Sequence, residues 1–286
     1  MAGTRCNLAC SHCFISCHPK NFSFGFLTYD DFKSHLTDSI DLGVKEYYFT
    51  GGEPFLNPEM TRILIETLHY GPATVLTNGT VLKDDWLEQL RQADQESMFS
   101  LEFRVSIDGI SAAQNDPIRG KGTFDRAMQG VKKLVRFNFL PIITAVRTWN
   151  PTDDLKMIEG FKEKLAEIGY RRPRLKILPT LQIGEEVNRS GGYSDTHRVS
   201  ESMMEDYDQS LLICSHSRVV TDRGIHVCPI LIESDDSLLG QTLGESVKPF
   251  PLKHGACVTC YQYGAICSNP TTKLQNPNRP IEPSSS

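Results

Sequence analysis

At 286 residues the chain is long for one small domain and short for two full enzymes, so one large unit with a small appendage is expected. A composition of 39% hydrophobic and 23% charged residues is that of a globular protein and excludes a disordered chain, a collagen-like chain and a coiled coil. The net charge of -5 leaves no electrostatic footprint for nucleic acid, and no apolar run nears the ~18–20 residues of a membrane span, so a cytoplasmic protein is expected.

A first strand is expected just before Cys6, although only Met1 to Arg5 precede it, as a trimmed chain or a misassigned start codon would leave. Thr28, with Asp31 three positions on, caps a helix whose Phe32, Leu36 and Ile40 recur at helical spacing until Gly43. Val44 to Thr50 reads as a strand, and Asn57-Pro58 opens a helix with Met60, Ile63, Leu64 and Leu68 on one face. A strand at 74–77, a helix at 83–93, a strand at 99–107 and a helix carrying Phe124, Ala127, Val131 and Leu134 follow. The pattern closes with strand 140–147, helix 153–167 and strand 173–178.

Repeated βα alternation means parallel strands with helices outside. Six units are fewer than the eight of a closed barrel, so the expected α/β fold is an open, partial (βα)6 TIM-like barrel over residues 1–179. Residues 180–204, polar and glycine-bearing, read as a linker or substrate-facing loop. Residues 205–268 form a small cysteine-rich unit in which 218–221 and 225–228 flank Asp222-Arg223-Gly224 as a β-hairpin, and Cys257 and Cys260 sit in a short loop. The Pro- and Ser-rich stretch 269–286 is expected to be disordered.

Nine cysteines fall into two groups, Cys6, Cys10, Cys13 and Cys17 at the start and Cys214, Cys228, Cys257, Cys260 and Cys267 at the end. An odd count in a presumed cytoplasmic chain argues against a disulfide framework and for two metal sites. The spacing Cys6-x3-Cys10-x2-Cys13 offers three soft ligands on one short loop, which can hold an iron–sulfur cluster and leave one iron open to a small molecule. A structural zinc site wants four ligands, and Cys17 reads as a spare or buried thiol.

The run Cys6-Asn-Leu-Ala-Cys10-Ser-His-Cys13, followed by Gly51-Gly52-Glu53-Pro54, resembles the radical SAM superfamily. Thr77-Asn78-Gly79, Ser106-x-Asp108-Gly109 and Arg119-Gly120-x-Gly122-Thr123-Phe124 extend the resemblance over roughly residues 4–178. It implies that Cys6, Cys10 and Cys13 ligate a [4Fe–4S] cluster whose free iron binds S-adenosylmethionine, and that the loops at the strand ends form one mouth. Gly51 and Gly52 would let backbone approach the methionyl group with Glu53 as a charge partner, Asn78, Ser106 and Asp108 would face the ribose, and Arg119 would hold the carboxylate. The implied chemistry is reductive cleavage of the cofactor to a 5′-deoxyadenosyl radical, which takes a hydrogen atom from substrate. An electron donor such as flavodoxin or ferredoxin is the implied partner.

Cys214-x13-Cys228 and Cys257-x2-Cys260 resemble the abbreviated, twitch form of the SPASM auxiliary domain, which implies a second [4Fe–4S] cluster with Cys267 as a further possible ligand. A four-thiolate zinc ribbon is the alternative for this region. Along the strands, Glu102, Arg104, Ser106 and Asp108 share one face, and Arg172, Arg174 and Lys176 alternate likewise, so a lumen rich in cations and an anionic small metabolite are expected. Glu102 and Asp108 are the candidate bases. Modification of a peptide or protein side chain, and a non-catalytic zinc or iron–sulfur scaffold, are the competing readings. A tRNA-modifying enzyme of the same superfamily is disfavoured by the acidic balance.

Overall fold

The computed structural model describes residues 1–264. Five parallel strands, β1 (Tyr47–Phe49), β2 (Ala73–Thr77), β3 (Leu101–Ser106), β4 (Ile142–Val146) and β5 (Arg174–Leu178), lie side by side in chain order. Helices α1 (Tyr29–Asp41), α2 (Met60–Thr67), α3 (Asp84–Glu96), α4 (Ala112–Arg119), α5 (Thr123–Arg136) and α6 (Asp154–Glu167) alternate with them. This is the α/β arrangement of parallel strands expected from the βα rhythm. The α1 cap is as read: Thr28 Oγ1 accepts from Asp31 N at 3.1 Å.

The expected first strand takes another form. Residues 1–5 run beside the loop that leaves β1, through Ala2 N to Thr50 O (2.6 Å), Gly52 N to Gly3 O (2.8 Å) and Glu53 N to Arg5 O (3.1 Å). Gly3 has φ +96°, which interrupts a regular strand before Cys6 turns away. A sixth element therefore closes this edge without being a strand.

Outward-facing Leu101, Phe103 and Val105 of β3, and Ile107 just beyond it, are buried with Leu64, Leu90, Val131 and Leu165 of the surrounding helices. Helix α5 approaches the β2–α3 loop so closely that a Cβ at Gly130 would stand 2.0 Å from Gly79 O. Gly130→Ala is therefore expected to destabilise by about 1–3 kcal/mol in spite of alanine's better helix propensity, read as a lowered Tm. An unchanged Tm would mean that the helix can shift freely.

A second, antiparallel sheet holds β6 (Val219–Thr221), β7 (Gly224–His226) and β8 (Leu238–Gly240). The first two form the hairpin read from the sequence, with Thr221 opposite Gly224. Asp222 at its tip accepts from Gly25 N at 2.8 Å, which docks the hairpin on the N-terminal segment. A separate core of Leu181, Tyr207, Leu212, Val227, Ile230 and Leu231 packs here. Cys257 and Cys260 lie one turn apart on helix α7 (Gly255–Tyr263), which corrects the expected short loop. Cys267 and the expected disordered tail 269–286 lie outside the described residues. No helix among the described residues is long and apolar enough to cross a membrane.

Candidate functional site

Cys6, Cys10 and Cys13 stand on one loop beyond the strand ends, anchored at several points. Cys6 N donates to His18 O (3.3 Å), Ser11 N to Ile118 O on α4 (2.9 Å), and Glu185 N to Cys13 O (2.9 Å). Burial pushes the Cys6 thiol up to about 12 and raises Cys10, with the neighbouring thiols and carboxylates adding to it. Cys13 is the exception. A hydrogen bond from the Cys17 side chain, joined by Cys17 N at 3.2 Å from Cys13 Sγ, draws it down to about 6. Cys17, which the sequence offered as a spare thiol, thus serves one of the three.

The GGEP loop packs against the N-terminal segment. A Cβ at Gly51 would stand 2.3 Å from Gly3 O, and one at Gly52 would stand 2.2 Å from Arg5 O. Both glycines are therefore required by the N-terminal segment packed on them. Glu53 is 1% exposed and binds protein rather than facing the mouth. Its carboxylate accepts from Thr77 Oγ1 (2.7 Å), Phe55 N (3.2 Å) and Asn78 N (2.8 Å), joining the end of β1 to the end of β2. Asn78 donates to Asn7 Oδ1 (2.9 Å) and toward Cys6 Sγ (3.8 Å), so its amide supports the cysteine loop.

Burial raises the Glu53 carboxyl to about 7, against hydrogen bonds that lower it. A raised folded pKa means that the folded state holds the proton longer than the unfolded chain, whose carboxyl titrates near ~4.3. Stability from this group is complete below that value and falls by about 3 kcal/mol as pH rises through 7. Glu53→Gln is expected to flatten the fall, seen in urea midpoints at pH 5 and pH 8. An identical slope in the variant would remove the assignment.

Asp108, 1% exposed, follows β3 and collects three elements. Its Oδ2 lies 2.6 Å from both His12 Nε2 and Arg119 Nε, and its Oδ1 accepts from Val146 N at 2.8 Å. Burial alone would raise its pKa, but the Arg119 charge and then His12 outweigh it and hold the carboxyl well below the usual range. Both its oxygens are committed within the protein. Arg119 is buried beside Cys10, its charge shared between Asp108 and the thiols. Ser106 remains half-buried at the strand end.

The other candidate base is also committed. Glu102 Oε1 pairs with Arg104 Nε (3.2 Å) and Oε2 with Arg174 Nη1 (2.9 Å). Arg172 and Arg174 are exposed, and Arg174 also donates to Leu140 O. The expected cationic lumen is thus in part an ionic layer centred on Glu102.

Cys214, Cys228, Cys257 and Cys260 line one small apolar cavity. They come from the turn Ile213–His216, the end of β7 and one face of α7. Burial raises Cys214, and raises Cys257 to about 11. Arg218, which the motif reading passed over, donates to the carbonyls of Cys214 (2.7 Å), Ser217 (2.7 Å), Ser246 (2.8 Å) and Lys248 (3.1 Å). Its charge lies near the Cys214 and Cys228 thiols.

Residues 2–165 match the sequence profile of the Radical SAM superfamily. The chain belongs to that superfamily. It is 32% identical over 132 residues to the antilisterial bacteriocin subtilosin biosynthesis protein AlbA of Bacillus subtilis, covering 46% of this chain and 28% of AlbA. It is 33% identical over 168 residues to the AdoMet-dependent heme synthase of Methanosarcina barkeri, covering 58% and 46%. The chain thus spans less than half the length of these two curated relatives. Streptococcus suis SuiB bound to its precursor peptide SuiA shares the fold at a TM-score of 0.64 and 15% identity, over 93% of this chain and 70% of SuiB.

Radical SAM proteins use a [4Fe–4S] cluster and S-adenosylmethionine. The residues present fit a cluster by donor chemistry. Three thiols share a loop with a fixed cation beside them, and their mutual electrostatic influence places them together. Among the described residues no three donors surround one point as a single ion needs. A cluster instead takes thiolates at separate corners.

Proposed function

We propose that the chain is a radical SAM enzyme with two iron–sulfur sites, Cys6, Cys10 and Cys13 holding the first and Cys214, Cys228, Cys257 and Cys260 the second. When bound, the first cluster and S-adenosylmethionine supply the electron and the carbon radical that removes a hydrogen atom from substrate. The chain's own residues hold and shape this site. Asp108 fixes His12 and Arg119 around the cysteine loop, Glu53 locks the mouth, and Ser106 stands at the strand end toward the ribose. The observation that carries the reading is the convergence of four thiols from three elements on one apolar cavity, beside a matched barrel. An auxiliary cluster there suits a net oxidation, in which it accepts an electron from substrate.

We divide the chain into a barrel at 1–179, a connecting segment at 180–204 and an auxiliary unit at 205–268; the sheet's core and the auxiliary core are distinct, and Leu181 of the connecting segment packs in the latter. Among the described residues eight cysteines are free thiols, in keeping with a reducing, cytoplasmic setting, and the electron donor we propose is a flavodoxin or ferredoxin. The substrate we favour is a small anionic molecule. The peptide seen with SuiB supports a second reading, modification of a peptide.

Anaerobic reconstitution followed by iron counting and a 5′-deoxyadenosine assay tests this. About eight irons per chain, with deoxyadenosine formed on adding dithionite and S-adenosylmethionine, is the expected result. About four irons with activity kept removes the auxiliary cluster. Zinc without deoxyadenosine sinks the enzyme reading.

A further inference from the structure

We propose that the barrel lumen carries an oxyanion-binding subsite for the substrate, made by the Arg104 guanidinium and the Thr144 hydroxyl. The proposal deepens the radical SAM reading and rests on it. Strand register puts both groups on the inner face. Ser106 pairs with Thr144, and Thr144 with Lys176, while Arg104 pairs with Ile142 one step below. Adjacent strands are about 4.8 Å apart and same-face neighbours about 6.6 Å along a strand, so a long arginine and a threonine hydroxyl can hold one ion together.

Both residues are buried, Arg104 to 2% exposure and Thr144 to 8%. Arg104 Nη2 and Thr144 Oγ1 are nevertheless without a hydrogen-bond partner among the described residues. Buried donors are nearly always satisfied, so two orphans on one inner face ask for a ligand. The guanidinium is already immobilised. Its Nε edge is held by Glu102 Oε1 at 3.2 Å, and its plane lies over the Tyr48 ring at 5.2 Å. What remains is the buried Nη2 edge, suited to carboxylate or phosphate oxygens. On this face Arg104 and Arg174 both pair with Glu102, two cations on one carboxylate, so an arriving anion meets a positive field.

The test uses the anaerobically reconstituted full chain with S-adenosylmethionine present. Inorganic phosphate and malonate are titrated by calorimetry at constant ionic strength, with chloride as the reference. We expect one of them to bind at least about tenfold more tightly than chloride. Preference for phosphate assigns a phosphorylated substrate, and preference for malonate a carboxylate. Arg104→Gln should weaken binding by about tenfold or more, and Thr144→Val by about threefold. Thr144→Val is isosteric and removes an unpaired hydroxyl, so it keeps the fold if Arg104→Gln does not. Equal binding of chloride, or a Thr144→Val protein that binds as the wild type does, overturns the subsite. Deoxyadenosine is measured in the same preparation. Its formation without anion binding overturns the subsite alone, whereas anion binding without deoxyadenosine overturns the radical SAM reading and the assignment to a substrate with it.

Discussion

Asp108→Asn should lower stability by about 3–5 kcal/mol and cost S-adenosylmethionine cleavage as well, although Asp108 is not one of the cluster cysteines. The carboxylate oxygen Oδ2 lies 2.6 Å from two donors, His12 Nε2 and Arg119 Nε. An amide can keep the bond from Val146 N, but its NH2 then faces those donors without a lone pair to offer. Arg119 is left as a buried charge with no carboxylate partner, which is the costly way to break an ion pair. His12 stands between Cys10 and Cys13, so the same change frees the cysteine loop from the end of β3.

Chemical unfolding gives the first effect and iron retention the second. The double variant Asp108→Asn with Arg119→Met separates them. Removing both partners of a buried pair is often near neutral, so much of the stability should return, with a coupling of roughly 1–3 kcal/mol between the sites. The loop tether does not return, and iron retention should stay low. Additive losses of stability would show that Asp108 and Arg119 act separately.

That pair illustrates what was legible in the sequence and what was not. Local patterns carried the elements. Thr28 with Asp31 announced α1, and the alternation of Leu101 to Asp108 assigned the two faces of β3. Helix α4 had no such signal. It contains Pro117 and lacks an apolar stripe, and tertiary bonds complete it, such as Asn115 Oδ1 accepting from Asp108 N at 3.0 Å and Asp116 Oδ2 from Gly122 N at 2.6 Å. α7 was read as a loop because its nine residues show almost no periodicity and its contacts are to the second core.

The site follows the same division. Motifs located the mouth, since Gly51-Gly52-Glu53-Pro54, Thr77-Asn78-Gly79 and Ser106-x-Asp108-Gly109 each lie at a strand end. They did not say which way each side chain turns. Glu53 turns to Thr77 and Asn78, Asp108 turns to Arg119, and the glycines at 51 and 52 answer to residues 3–5, all through contacts between distant parts of the chain. Arg218 escaped notice because nothing in its local sequence shows four carbonyls converging on it.

Cysteine substitutions should divide the protein into two independent sites. Cys10→Ala is expected to abolish deoxyadenosine formation, because two thiolates cannot hold a cluster that must also leave one iron open. Cys257→Ala should instead reduce iron from about eight to about four per chain and leave that cleavage measurable. The independence has a structural basis. The first thiols pack with Leu8, Ile15 and Phe24 around the N-terminal loop, whereas Cys257 packs with Leu212, Val227 and Leu231 in the other core. Where these cores meet, Cys13 O accepts from Glu185 N at 2.9 Å, and Phe14 reaches both. Loss of the second cluster is expected to leave the anchors of the first loop to His18 and Ile118 in place. It removes the acceptor for an electron leaving the substrate, so cleavage persists while completed oxidation fails. Deoxyadenosine lost equally in both variants would show instead that the second site feeds electrons to the first.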